Sequence, residues 1–292
     1  MKTGLILEGG SMRGLFSAGV MDVFLEHDIE FDGAIGVSAG ATFGCNYKSK
    51  QPGRVIRYNK RYARDPRYCS FASLLTTGNL YNANFCYHVM PVKYDVFDLE
   101  TFRKNPMEFW VVTTDLETAE PVYHELKTGD SEDMEWLRAS ASLPIAARPV
   151  KLDGREYMDG GCSDSLPLGF FESQGYDRNV VILTQPKGYV KPVQKALGIT
   201  KVLLHGQDNL YARLENRHNE YNEQLAYVTK REEEGAILAI YPDEPLDIGF
   251  FVHDADKMQH IYEMGRDVGE KYLSRVQEYL ASRKQKNLPD SL

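Results

Sequence analysis

Three short stretches of the chain carry residue types that can do chemistry. The first is Gly36-Val37-Ser38-Ala39-Gly40, a G-x-S-x-G pattern. A serine on a tight strand-to-helix turn projects its oxygen, and flanking glycines leave room for the crowded backbone. The following helix directs its positive end at the same place, favouring developing negative charge. Ser38 is therefore a candidate nucleophile, with Gly36 and Gly40 as the glycines of its elbow. The second stretch is Glu8-Gly9-Gly10-Ser11-Met12-Arg13-Gly14, entered from the apolar run Leu5-Ile6-Leu7 and left by a helical pattern from about Leu15. Unpaired N–H groups point out of such a turn and suit an anion, either a held phosphate or an oxyanion that exists only during a reaction. As a nucleotide loop it is incomplete. Ser11 stands at the second glycine of a G-x-G-x-x-G counted from Gly9, and no G-K-[ST] follows.

A nucleophilic serine needs a base. The α/β-hydrolase order places an acid and then a histidine downstream. His88, His124, His205, His218, His253 and His260 are available, none of them in a distinctive loop. The third stretch, Asp159-Gly160-Gly161 in REYMDGGCSDSLPL, offers a carboxylate instead: an aspartate ends a short strand and two glycines strip steric cover from it. A lone D-G-G usually marks a turn, so both bases stay open on the residues alone.

The elements that must position these groups read as strands alternating with helices, an α/β pattern with helices on both faces of a sheet. Strands are expected at 4–7, 32–36, 108–114, 121–125, 148–152, 156–158, 179–184 and 236–241. Helices are expected at 15–26, from 39, at 132–141 and over most of 197–234. A last helix carries Met258, Ile261, Val268, Tyr272, Val276 and Leu280, mostly at three- and four-residue spacing.

With 292 residues, 42% of them hydrophobic, the chain is long enough for a sizeable core. Its net charge of −8 argues against a nucleic-acid partner. No run approaches the ~20 apolar residues of a membrane span, and no secretory signal is visible. Cys45, Cys69, Cys86 and Cys162 lack C-x-x-C spacing and read as free thiols of a reducing compartment, so the expected location is cytoplasmic. No metal-binding motif occurs; His253-Asp254-Ala255-Asp256 reads as a helix cap.

Taken together, the motifs resemble the patatin-like phospholipase family of serine acyl hydrolases. Four blocks carry the resemblance, in the family's order: E-G-G-S-M-R-G (8–14), G-V-S-A-G (36–40), R-A-S-A-S-L-P (138–144) and D-G-G with S-D-S-L-P (159–167). The resemblance implies a three-layer α/β/α fold with a mainly parallel central sheet and a helical C-terminal region. A catalytic core over 1–185 would be followed by a helix-rich part over 186–292, within the same domain or as a small appended region. It implies hydrolysis of lipid carboxylic esters by a Ser–Asp dyad without cofactor or metal. Ser38 would be the nucleophile, Asp159 the base, and the amides of Gly9, Gly10, Ser11, Met12 and Arg13 the oxyanion hole. The family usually has a third glycine where this chain has Ser11, a departure that matters if the position needs positive φ. Arg13 is expected to anchor the turn by hydrogen bonds. A Ser–His–Asp esterase and a non-catalytic lipid-binding protein on the same fold are the alternatives.

One further feature bears on the substrate. Between Lys48 and Arg67 there are eight basic residues and one acid. Arg54, Arg57, Arg61 and Arg64 recur at helical spacing and would form a single stripe with Tyr58 and Tyr62 alongside, read equally as attracting anionic lipid headgroups at a membrane surface or an acidic partner and as a solvated helix face balanced by acids elsewhere. The aromatic-rich segment that follows reads equally as a lid or acyl-chain pocket and as packing over the sheet.

Overall fold

The computed structural model describes residues 1–193, 201, 204 and 206–285, the last four of these by backbone only. The first part of the expected 197–234 helix lies outside the described residues. Eight strands form one sheet: β1 (Lys2–Leu7), β2 (Gly33–Val37), β3 (Glu108–Asp115), β4 (Pro121–Leu126), β5 (Val150–Leu152), β6 (Arg155–Asp159), β7 (Tyr176–Ile182) and β8 (Ile237–Ile240). Their order is β5-β6-β3-β2-β1-β7-β8, with β4 also on β3. The β3-β2-β1-β7-β8 run is parallel, and the β4, β5 and β6 pairings are antiparallel.

The central strands are short apolar runs because both faces are covered. Leu5 and Leu7 of β1 join one hydrophobic cluster and Ile6 the other, the period-two alternation of a strand between two layers. The first layer contains α1 (Gly14–Glu26), α2 (Ala39–Lys48), α3 (Arg54–Tyr62), α6 (Ser131–Ser140) and the long α9 (Ala255–Gln285). Two short helices, α4 (Phe71–Thr77) and α5 (Leu99–Lys104), flank a wide, π-wound helix at Phe85–Tyr94. The opposite layer contains α7 (Leu168–Ser173) and α8 (Asp208–Glu233).

The C-terminal region is built into this frame. Its strand β8 extends the sheet beside β7, and α9 closes on α1, where a Cβ at Gly265 would lie only 2.0 Å from the Phe16 carbonyl oxygen. Asp254 caps α9, accepting from the amides of Asp256 and Lys257 at 3.0 Å each, as expected of that stretch. β1 lies between β2 and β7, so the chain leaves its carboxyl end toward one side and later returns on the other. In open α/β sheets a crevice opens at such a switch point.

Candidate active site

Ser38 and Asp159 are brought together by strand register. Val37, the last residue of β2, pairs with Val112 of β3. Thr113, the next residue of β3, pairs with Asp159, the last residue of β6. The two strands end nose to nose along β3, and the residues at their tips meet. Ser38 Oγ donates to Asp159 Oδ2 at 2.6 Å.

The glycines around these residues are dictated by crowding. A Cβ on Gly36 would fall 2.4 Å from the Gly40 carbonyl oxygen, and one on Gly40 would fall 2.3 Å from that of Leu7. On Gly160 it would fall 2.2 Å from the carbonyl of Val112. Ser38 itself has φ 55°, ψ −119°, a backbone conformation disfavoured for L-residues and held by its surroundings.

The R-A-S-A-S-L-P block ties the pair together. Ser140 Oγ accepts from the Ser38 amide at 3.0 Å, and the Ser142 carbonyl accepts from the Asp159 amide at 2.9 Å. Sequence reasoning quoted both serines within a motif without giving them a task. Asp159 is 1% exposed. Burial raises its carboxyl to about 6, opposed by the hydrogen bonds from Ser38 and the Gly161 amide and by the charge of Arg217. A buried carboxylate one hydrogen bond from a hydroxyl is placed to accept that hydroxyl's proton.

The glycine turn runs against Ser38: a Cβ on Gly9 would lie 3.1 Å from that of Ser38. Thr184, just past β7, holds the turn by donating to the Gly9 carbonyl at 3.0 Å and to Glu8. The Arg13 amide donates to the Gly10 carbonyl at 3.1 Å, so it is spent within the turn. The amides of Gly10 and Ser11 donate no hydrogen bond among the described residues. Ser11 has φ 52°, the left-handed conformation that glycine would adopt without strain. Its hydroxyl donates to the Phe250 carbonyl at 3.3 Å.

Arg13 departs from its expected anchoring. Its side chain makes no hydrogen bond among the described residues, and its buried Nε is without a partner. The arginine stripe is also corrected. Arg54 is buried, donating to the Asp95 carbonyl at 2.6 Å and to Asn46 Oδ1 at 2.7 Å. Arg57 is clamped on the Asp95 carboxylate, Arg61 reaches the Tyr94 carbonyl, and Arg64 lies beyond the end of α3. Tyr58 and Tyr62 are buried rather than beside a surface stripe.

Two cavities meet at Ser38. One, of about 140 Å³, is mainly apolar and runs between α2, α6 and the 85–94 helix, past Phe43, Tyr87, Met90 and Leu137. The other, of about 210 Å³, is polar and holds Glu8, Asp159, Arg13, Lys191 and Arg217. None of the described histidines lines either cavity. His205 lies outside the described residues. No group of metal-ligating side chains occurs among the described residues.

A doubly covered, mostly parallel sheet with a serine elbow and an aspartate meeting at its carboxyl edge defines a layered α/β protein. The pattern of the patatin-like phospholipase family matches residues 5–171, and the chain belongs to that family. A second pattern, a domain of unknown function (DUF6363), matches residues 207–281. The uncharacterized protein YjjU of Escherichia coli (strain K12) is 26% identical over 295 residues, covering 96% of this chain and 79% of its own. Lysophospholipase NTE1 of Coccidioides immitis (strain RS) is 25% identical over 94% of this chain, which spans only 18% of that protein. The crystal structure of VipD from Legionella pneumophila aligns with a TM-score of 0.47 at 12% identity, covering 94% of this chain and 67% of that one.

Proposed function

We propose that the chain is a serine acyl hydrolase that cleaves carboxylic esters of lipids through Ser38 and Asp159. The observation that carries this reading is the 2.6 Å hydrogen bond between the two side chains at the junction of an apolar and a polar cavity. The acyl chain occupies the apolar cavity and the alcohol portion the polar one. Ser38 Oγ attacks the ester carbonyl carbon while Asp159 takes the hydroxyl proton. The oxyanion of the tetrahedral intermediate faces the amides of Gly10 and Ser11, whose donors need no rearrangement. Collapse expels the alkoxide, which leaves as the alcohol with the proton from Asp159. Water, deprotonated by the same carboxylate, then releases the acid from the acyl-enzyme.

Family membership supports the ester chemistry, and the names of the fungal relatives favour lipids with a single acyl chain. A carboxylate base needs no third residue to fix a tautomer, which accords with the absence of a described histidine from either cavity. A fluorophosphonate probe should label wild-type protein at Ser38 and leave Ser38→Ala unlabelled. Labelling at another serine, or none, would reject the assignment.

A further inference from the structure

The polar cavity holds more positive charge than the acyl chemistry uses. Arg13 enters from the glycine turn, Arg217 from α8, and Lys191 from the segment after β7. None of the three forms an ion pair among the described residues. Lys191 is held in place rather than loose: its amide donates to Asn222 Oδ1 at 2.8 Å, Asn222 donates back to its carbonyl at 3.1 Å, and its ammonium lies 4.6 Å from the Tyr221 ring centre. Arg217 donates from Nε to the Gly161 carbonyl and lines the cavity. The buried, unpartnered Nε of Arg13 completes the set.

The acids facing this space do not balance it. Asp159 is engaged by Ser38 and the Gly161 amide. Glu8 is 2% exposed, and burial raises its carboxyl above the usual range, while Thr184 and Tyr221 donate to it. Burial, with Arg217 and Arg13 nearby, lowers Lys191 to about 8, opposed by the charge of Glu8.

We infer that Arg13, Lys191 and Arg217 form a binding site for the phosphate group of a glycerophospholipid, placed across Ser38 from the acyl cavity. The inference rests on the ester-hydrolase reading, and it assigns to the C-terminal region, through Arg217, a direct part in choosing the substrate. In such a lipid a short glycerol backbone separates the scissile ester from the phosphate. An ester seated at Ser38 with its acyl chain in the apolar cavity therefore delivers the phosphate to the polar one. Planar guanidinium groups and an ammonium suit the several acceptor oxygens of a phosphate.

Binding is measured by calorimetry on the full chain carrying Ser38→Ala, so that no turnover is needed. The ligands are a short-chain lysophospholipid below its micelle threshold, a monoacylglycerol of the same chain length, and inorganic phosphate. Adding Lys191→Met should weaken lysophospholipid binding by about tenfold, the loss of one charge-assisted contact. Monoacylglycerol binding should change less than about twofold, and Lys191→Arg should restore most of the loss. Equal loss for both lipids, or none for the lysophospholipid, would overturn the proposal. Inorganic phosphate binding as tightly as the lysophospholipid would overturn the lipid assignment in favour of a free-phosphate site. Failure of the hydrolase reading shows separately, as absence of ester turnover by the chain with Ser38 intact.

Discussion

Asp159 carries the cost of the site in one side chain. Its carboxyl is raised from 3.8 to about 6 by burial. Between these values the folded state holds a proton that the unfolded state has released. Stability from this group is therefore fully present below about pH 4 and is lost as pH rises through about 6. Above that, the ionised carboxylate costs roughly 3 kcal/mol. Asp159→Asn should therefore raise the melting temperature at pH 8 and leave it nearly unchanged at pH 4, by scanning calorimetry; a variant that melts lower at pH 8 contradicts the burial argument. By the same titration, kcat/KM for ester hydrolysis should climb with pH through about 6 and then level. Ser11 supports a second expectation. Glycine at this position keeps the amide and removes the left-handed strain, so Ser11→Gly should keep kcat/KM within about threefold and not lower stability. A loss well beyond that would give the Ser11 hydroxyl a direct part in the chemistry. Ser38, Asp159 and the glycine turn were legible because residue type and local spacing mark them. Ser140, Ser142, Lys191 and Arg217 were not. They acquire their places only when β2 and β6 abut on β3 and when α8 packs over the site.

At the scale of elements, apolar runs located the strands to within a few residues, and β7 begins earlier than its apolar run because Asp177 and Arg178 are polar. The 85–94 helix was illegible: it is π-wound, holds Pro91 and has no clean helical period. α3 misled for a different reason. Spacing puts Arg54 on the face of Arg57 and Arg61, yet Arg54 pins the first turn of α3 to the chain beyond the 85–94 helix, with Asp95 as its buried partner at 3.2 Å. Arg54→Met leaves Asp95 to Arg57 alone and should cost about 3 kcal/mol in urea unfolding. Exposed Arg64→Met should change stability by no more than about 0.5 kcal/mol. Equal, small effects would mean that Arg54 is not the pin.

At the scale of the molecule, the strand supplied from the C-terminal region and the closure of α9 on α1 make that region part of the frame around the site. No helix among the described residues is long and apolar enough to cross a membrane. The central claim is tested most directly by hydrolysis of a short-chain lysophospholipid by wild type, Ser38→Ala and Asp159→Asn, with folding of each checked by its melt. The account predicts a loss of about a thousandfold or more in kcat for each variant. Turnover near the wild-type rate in either folded variant would contradict it.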